Sequence, residues 1–355
     1  MLFSSKPLLY LQLLDHSLRY LALDPKDHTV VDKDEIVFDT LIIQDGKITN
    51  VPLLEMRLDA LVKEKKWKNA KAHLLLLNDF VTVREESVPS QLSPFEVKEY
   101  LSLHINQSIR LPFEHPKFDF EIIEKNNDQQ KVVIIAYPGE YVRQYQDILQ
   151  NVSLKPVVAD IAALCFYRLA DQQDLVKKNP DNHTLLLEWN PFDLSIMVFN
   201  KDVPKFNRHT RSARLADSWK LSQKGEWVWQ NSETELEDMI EDQLNGLERF
   251  LDFYRYSVLD DKGSVTDIIL TGHYPKLIDL KALLEERFSA IVHLLDLPET
   301  IGQHNGALYG LSLKEIKSTR KKDTKPVKDE TGTETEKVKK GTKETAASKE
   351  EEVHA

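Results

Sequence analysis

Apolar and polar positions fall along this chain in short blocks that predict a mixed α/β fold. Leu8–Leu14 and Leu18–Leu23 read as a strand pair turning at Asp15-His16. Val37–Ile43 and Lys47–Thr49 read as a second hairpin, since the Asp45-Gly46 pair between them is a strong two-residue turn signal. Leu54, Leu58, Leu61 and Val62 recur at helical spacing and predict a helix over 53–66. Leu74–Leu77 and Phe80–Val83 are apolar runs of strand length around Asn78-Asp79.

A second block opens at Pro94. Ser93 with Glu96 three residues on is a capping box, so a helix runs to about Ser108, with His104 near its apolar face. Phe118–Ile123 and Lys131–Ala136 read as strands, and Tyr141, Val142, Tyr145 and Ile148 as one face of a helix over 140–149. Pro156–Ala159 reads as a short strand, after which Asp160 is placed to cap a helix over 161–170.

The pattern then repeats. Thr184–Leu187 and Leu194–Phe199 are apolar strands, followed by Asn207–Arg211 with Arg214, the most basic short cluster in the body, which reads as a solvated loop or an anion contact. Lys224-Gly225-Glu226 with Trp227 and Trp229 suggests a small hairpin, one tryptophan of which could anchor a partner. Glu233–Leu259 is the clearest helix, with Leu236, Met239, Ile240, Leu244, Leu247, Phe250, Leu251, Tyr254 and Val258 in unbroken three/four spacing. Asp267–Leu270 is a strand ending in Thr271-Gly272, then come a helix over 277–288, a strand over 291–295 and a closing helix over 305–313. Two α/β units of similar logic follow one another, over 1–182 and 183–316, the second with its small hairpin region at about 205–232.

Composition narrows the function classes. With 355 residues, 41% hydrophobic and 30% charged, the chain has ample material for a core. A net charge of −11 excludes a globally basic nucleic-acid binder. A single cysteine, Cys165, excludes an intramolecular disulfide and a multi-thiolate zinc site; its apolar helical setting reads as buried packing. No apolar run reaches the roughly 18 residues of a membrane span, and the mildly apolar Pro7–Leu14 is a poor signal peptide, so the expected setting is a reducing cytoplasm. The segment 317–355 contains no Leu, Ile, Met, Phe, Tyr or Trp, and holds 11 basic against 9 acidic residues. It is expected to be a disordered solubilising tail or electrostatic tether. None of the 11 histidines forms a metal-ligand pair with a supporting carboxylate, and no Ser-His-Asp triad, P-loop or Rossmann fingerprint is present.

Several stretches carry a resemblance. Val81-Thr82-Val83-Arg84, Val88-Pro89, Glu96-Val97, Ile109–Phe113 and Phe118–Phe120 resemble, in order and spacing, the PilM family of type IV pilus assembly proteins. So do Val132–Ala136, the helix positions Val142, Tyr145 and Leu149, and Leu154–Asp160, and towards the end Ile268–Gly272 and Asn305–Leu311. The resemblance covers about Leu8 to Leu313. It implies an actin-like fold similar to the cell-division protein FtsA: two lobes around a nucleotide cleft, with a subdomain inserted in the first lobe, here at about 89–156. It also implies a cytoplasmic protein that binds the short cytoplasmic N-terminal segment of the membrane protein PilN and so links the membrane platform of a type IV or competence pilus to its motor ATPase.

The three loops of that cleft are degenerate. Setting Ser17-Leu18-Arg19 against the family's Ser-Ile-Lys places Gln12 where a magnesium-orienting Asp is expected and Leu14 where Gly would let backbone amides reach phosphate; Asp15 is the only carboxylate in the turn. The second loop, usually Asp-Ile-Gly, reads Glu188-Trp189-Asn190-Pro191, in which Pro191 lacks a donor. The third, usually Thr-Gly-Gly-Gly, keeps only Thr271-Gly272 before His273 and Tyr274. The expectation is a pseudo-nucleotidase scaffold: not an enzyme, with no catalytic or metal residues and no cofactor. The alternatives are a working ATPase in which Glu188 still serves magnesium and ATP, and an unrelated cytoplasmic adaptor.

Overall fold

The computed structural model describes residues 6–44, 46–222 and 226–314, all within one compact unit, Met1–Lys314. Asp45, the Lys224-Gly225 turn and the 317–355 tail lie outside the described residues. The first apolar run forms β1 (Leu8–Leu13), which returns after Leu14-Asp15-His16 as β2 (Ser17–Leu23). A third strand, β3 (Val30–Val37), follows. The hairpin expected from Val37–Ile43 shrinks to two-residue strands, β4 (Ile43–Gln44) and β5 (Lys47–Ile48). The helix α1 (Val51–Glu64) then leads into β6 (Lys71–Leu76), and its Asn50 cap accepts from the Leu53 amide.

A 3₁₀ turn at Asn78–Phe80, rather than a strand over Phe80–Val83, leads into β7 (Thr82–Pro89). The helix α2 (Pro94–His104) has the expected capping box between Ser93 and Glu96. Strands β8 (Pro116–Lys125) and β9 (Gln129–Pro138) complete a three-stranded sheet of order β7-β9-β8, closed by its own core around Val97, Leu101 and Ile134. The sheet of the insert, expected at about 89–156, runs from Thr82 to Pro138. The next helix, α3 (Gly139–Asn151), sends Tyr145, Ile148 and Leu149 into the first lobe's core, and β10 (Lys155–Ile161) pairs with β6. Asp160 does not cap α4 (Ala162–Gln172): it lies within β10, and its carboxylate pairs with Arg168 at 2.6 Å and Lys314 at 3.0 Å.

The second half repeats the first. β11 (His183–Trp189) and β12 (Asp193–Asn200) are the apolar pair, and the basic cluster read as a loop is instead a strand, β13 (Val203–Arg211). A small excursion follows: α5 (Ala213–Ser218), β14 (Trp219–Leu221) and β15 (Trp227–Trp229). Both tryptophans of β15 pack inward, Trp227 on Phe192 and Trp229 on Trp219, while Val228 faces out. The long helix α6 (Glu233–Phe253) ends in a π turn at Tyr254–Val258, and β16 (Val265–Thr271), α7 (Leu277–Arg287), β17 (Ile291–Leu294) and α8 (Gly306–Ser312) finish the fold.

The two large sheets share one topology. The first runs β10-β6-β1-β2-β3 and the second β17-β16-β11-β12-β13. In each, a hairpin and a third antiparallel strand lie on one side of the opening strand, and two parallel strands reached through helices lie on the other. The central strand β11 is buried on both faces, as a strand covered by helices on each side must be. Its Leu186 joins the first lobe's core, and Leu185, Leu187 and Trp189 feed the second. Helices α4 and α8 fill the space between the sheets. They touch where Gly310 passes the Cys165 backbone, so close that a Cβ on residue 310 would lie 2.2 Å from the Cys165 carbonyl oxygen.

Candidate functional site

The ends of the two opening hairpins meet in a cleft with a cavity of about 110 Å³. Gln12, Leu14, Glu188, Asn190, Pro191 and His273 all line it, so the three suspect loops do converge. Thr271 is the last residue of β16, paired with Glu188. Gly272 has φ +119°, and a Cβ there would lie 2.2 Å from the Trp189 carbonyl oxygen, so its glycine serves the contact between the second and third loops. Tyr274 leaves the cleft altogether and packs edge-on to Trp219 in the second core.

The cleft is filled by its own side chains. Arg19, nearly fully buried, donates to Glu35 at 2.9 and 3.2 Å, to the His304 carbonyl at 2.8 Å and to the His273 Nε2. Because that nitrogen accepts, the His273 proton sits on Nδ1, which has no partner among the described residues; burial, with Arg19 and His304 beside it, holds the ring well below the usual histidine range. Glu188 accepts from Asn78 at 2.6 Å and from Asn190 at 3.4 Å. Burial, reinforced by the Asp193 charge, pushes its carboxyl up to about 7. The loop amides are also spent within the protein: Leu14 N–H donates to the Ser17 carbonyl at 2.8 Å, Asn190 N–H to the Asp193 carbonyl at 3.0 Å, and His273 N–H to Asn190 Oδ1 at 3.0 Å.

The basic cluster Asn207–Arg211 lies on β13 and, with Lys205 outside the cluster, borders this cleft and the insert. Its odd positions face the first lobe and the insert. Lys205 reaches Glu85 at 2.6 Å, His209 reaches Asp79 at 3.0 Å, and Arg211 pairs with Asp15 while lying over the Phe192 ring. Asn207 accepts from the Val83 amide at 3.1 Å and donates to the Val81 carbonyl at 2.7 Å. Burial lowers His209, but the Asp193 carboxylate 3.6 Å away and the Asp79 carboxylate outweigh it and hold the ring above its ordinary value. Beyond the register shift after Pro204 the even positions face away: Phe206 packs on Phe250 and Phe253, and Arg208 and Thr210 look onto α6. The signal was present in the period-two alternation of Lys205, Asn207, His209 and Arg211 with Phe206.

A second, larger recess of about 530 Å³ lies between the insert and the first lobe. One wall is β8 and β9 (Phe118, Val133, Ile135), another is β10 and α4 (Ala159, Leu164, Tyr167), and Asp202 and Pro204, at the start of β13, close it. β8 and β10 are each the edge strand of their sheet. The insert is thus tied to the second lobe through β13 as well as to the first lobe at its two ends.

A family model described as type IV pilus assembly protein PilM matches residues 18–203, just over half of the chain. The chain belongs to the PilM family of type IV pilus assembly proteins. No curated protein matches it. Among solved structures, the PilM-PilN type IV pilus biogenesis complex superposes with a TM-score of 0.65 at 17% identity, covering 86% of this chain and 97% of that one. A Bacteroides thetaiotaomicron protein with an actin-like ATPase fold (TM-score 0.44, 14% identity, 86% and 96% covered) and the cytoplasmic domain of EpsL of the Vibrio cholerae type II secretion system (0.46, 10%, 88% and 96%) are more distant. The repeated sheet and the PilM likeness establish the actin-like fold. Among the described residues, no helix of this PilM-family chain is long and apolar enough to cross a membrane.

Proposed function

We propose that this protein is a cytoplasmic scaffold of a type IV or competence pilus machine, held at the inner face of the membrane through its partners. Its direct partner is the short cytoplasmic segment of a PilN-like membrane protein, through which it connects to the pilus motor ATPase. The observation that carries this reading is the groove between insert and first lobe, flanked by two open strand edges. An extended peptide can add to such an edge through backbone hydrogen bonds, while apolar anchors sit against Ile135, Leu164 and Tyr167. A synthetic peptide copying that PilN-like segment from the same genome is expected to bind with a micromolar dissociation constant. Ala159 is exposed on the β10 edge, so Ala159→Arg fills the groove without disturbing the core; calorimetry is expected to show at least a tenfold loss, and unchanged affinity would place the partner elsewhere.

We further infer that the cleft neither binds nor hydrolyses ATP at physiological concentrations. Ligand pockets usually offer about 300–1,000 Å³, against the cleft's 110 Å³. Five carboxylates (Asp15, Glu35, Asp79, Glu188 and Asp193) line it, and its two guanidiniums, Arg19 and Arg211, are already paired with Glu35 and Asp15. A nucleotide would bring further negative charge to amides that are already bonded. The residues present do not fit magnesium nucleotide. Titration with Mg-ATP is expected to give no saturable heat below about 1 mM, a range in which many enzyme substrates bind; a micromolar dissociation constant would restore the ATPase reading.

A further inference from the structure

We propose that Asn207 is a positioning residue for the partner groove: its side-chain amide pins the insert to the second lobe and so sets the groove's width. This rests on the groove reading above.

The insert enters at Thr82 and leaves at Pro138, and these two points are neighbours, since Thr82 pairs with Ala136 in the same sheet. A body attached at two adjacent points keeps a rotation about them. That rotation would move β8 and β9 against β10 and open or close the groove. Clamping the backbone on both sides of an attachment point restrains the turn that such a rotation needs. Asn207 does this at the Thr82 entry, on the edge of β7 that faces away from β9. There it accepts from the Val83 N–H and donates to the Val81 C=O, satisfying two backbone groups two residues apart as a neighbouring strand would. Lys205 on Glu85 adds a further contact along the same strand. The same β13 contributes Pro204 to the groove wall, so the pin and the wall belong to one rigid element. An edge left open here would also invite wrong pairing, which the Asn207 amide blocks without adding a strand.

The test is run on the full chain with the PilN-derived peptide as probe, at a temperature well below the melting point of every variant. Asn207→Ala is expected to raise amide exchange at Val83 at least tenfold and to weaken the peptide about tenfold. Asn207→Asp keeps the acceptor for Val83 but not the donor to Val81, and is expected to fall between. Arg208→Ala, on the opposite face of the same strand, leaves both quantities unchanged. A merely structural asparagine would change the melting temperature but not the affinity of the folded protein. If Ala159→Arg abolishes binding while Asn207→Ala leaves affinity unchanged, the positioning role is overturned and the groove stands. If Ala159→Arg leaves affinity unchanged, the groove reading falls and the positioning role with it.

Discussion

Replacing Gly310 by alanine is expected to lower the melting temperature by roughly 6–12 °C, from a destabilisation of about 3 kcal/mol at about 2–4 °C per kcal/mol for a chain of this size. By propensity alone the change should stabilise, because alanine in a helix gains about 1 kcal/mol over glycine. Here sterics win. The added methyl would lie 2.2 Å from the Cys165 carbonyl oxygen and 2.6 Å from its carbon. These are backbone atoms of α4, which cannot rotate aside, so α4 and α8 must separate and strip contacts from Phe166, Leu308 and Leu311, all buried. Gly246 in α6 is the internal control: a Cβ there meets only the Arg249 Nη2, at 3.9 Å, so Gly246→Ala is expected to raise the melting temperature slightly. Equal behaviour of the two variants in thermal unfolding would mean that the helices do not cross this closely.

Glu188→Gln is expected to stabilise the protein at pH 8 and to change little at pH 5. The Glu188 carboxyl is buried and raised from an ordinary 4.5 to about 7, chiefly by burial, with Asp193 adding repulsion. A carboxyl raised in the folded state binds its proton more tightly there than in the unfolded chain, so stability falls as pH climbs from about 4.5 to 7, and the deficit stays above that. At roughly 1.4 kcal/mol per unit the deficit is at most about 3.5 kcal/mol, and glutamine removes the charge that causes it. His209, also raised, acts in the same sense: its contribution is present at low pH and lost as pH rises through its folded value. His273 and His304, lowered by burial, oppose both on the acid side, where their charging disfavours the fold. Melting curves of wild type and variant at the two pH values decide the matter. A loss of stability at pH 8 would mean that the ionised carboxylate is wanted, as a magnesium site would want it.

The repeated α/β unit, its long helices and its opening hairpins were legible because they are buried, and burial writes periodicity into the sequence. The strands that escaped are β3 and β13, the third strand of each sheet. Both are edges. An edge strand is held by backbone bonds to its inner neighbour, and Val30–Val37 keeps charged residues at Asp32, Lys33, Asp34 and Glu35, so its apolar pattern is thin. That same polarity let Glu35 and His209 serve the cleft. Gln12, Leu14, Glu188 and Asn190 line one cleft because the first turn of each repeated sheet ends at the same place in its unit. Tyr274 was misplaced because a single turn decides whether the residue after Gly272 faces the cleft or the core. Asp160 looked like a cap because it precedes a helix, but two cations converging on it from α4 and from Lys314 bind it more strongly than amides at a helix start would.

The thiol at the α4–α8 crossing gives the molecule a practical property. Cys165 is the only cysteine in the chain, fully buried, with its thiol raised well above the ordinary range by burial and the Asp160 charge, against the Arg168 guanidinium 3.5 Å away. Reaction with maleimides and iodoacetamides needs a solvent-reached thiolate, and this sulfur offers neither charge nor access. The native protein is therefore silent to such reagents while folded, and a cysteine introduced on the insert and another on the second lobe would be the only two that take a dye. The distance between those dyes could then report movement of the insert in a protein whose own sulfur is left in place.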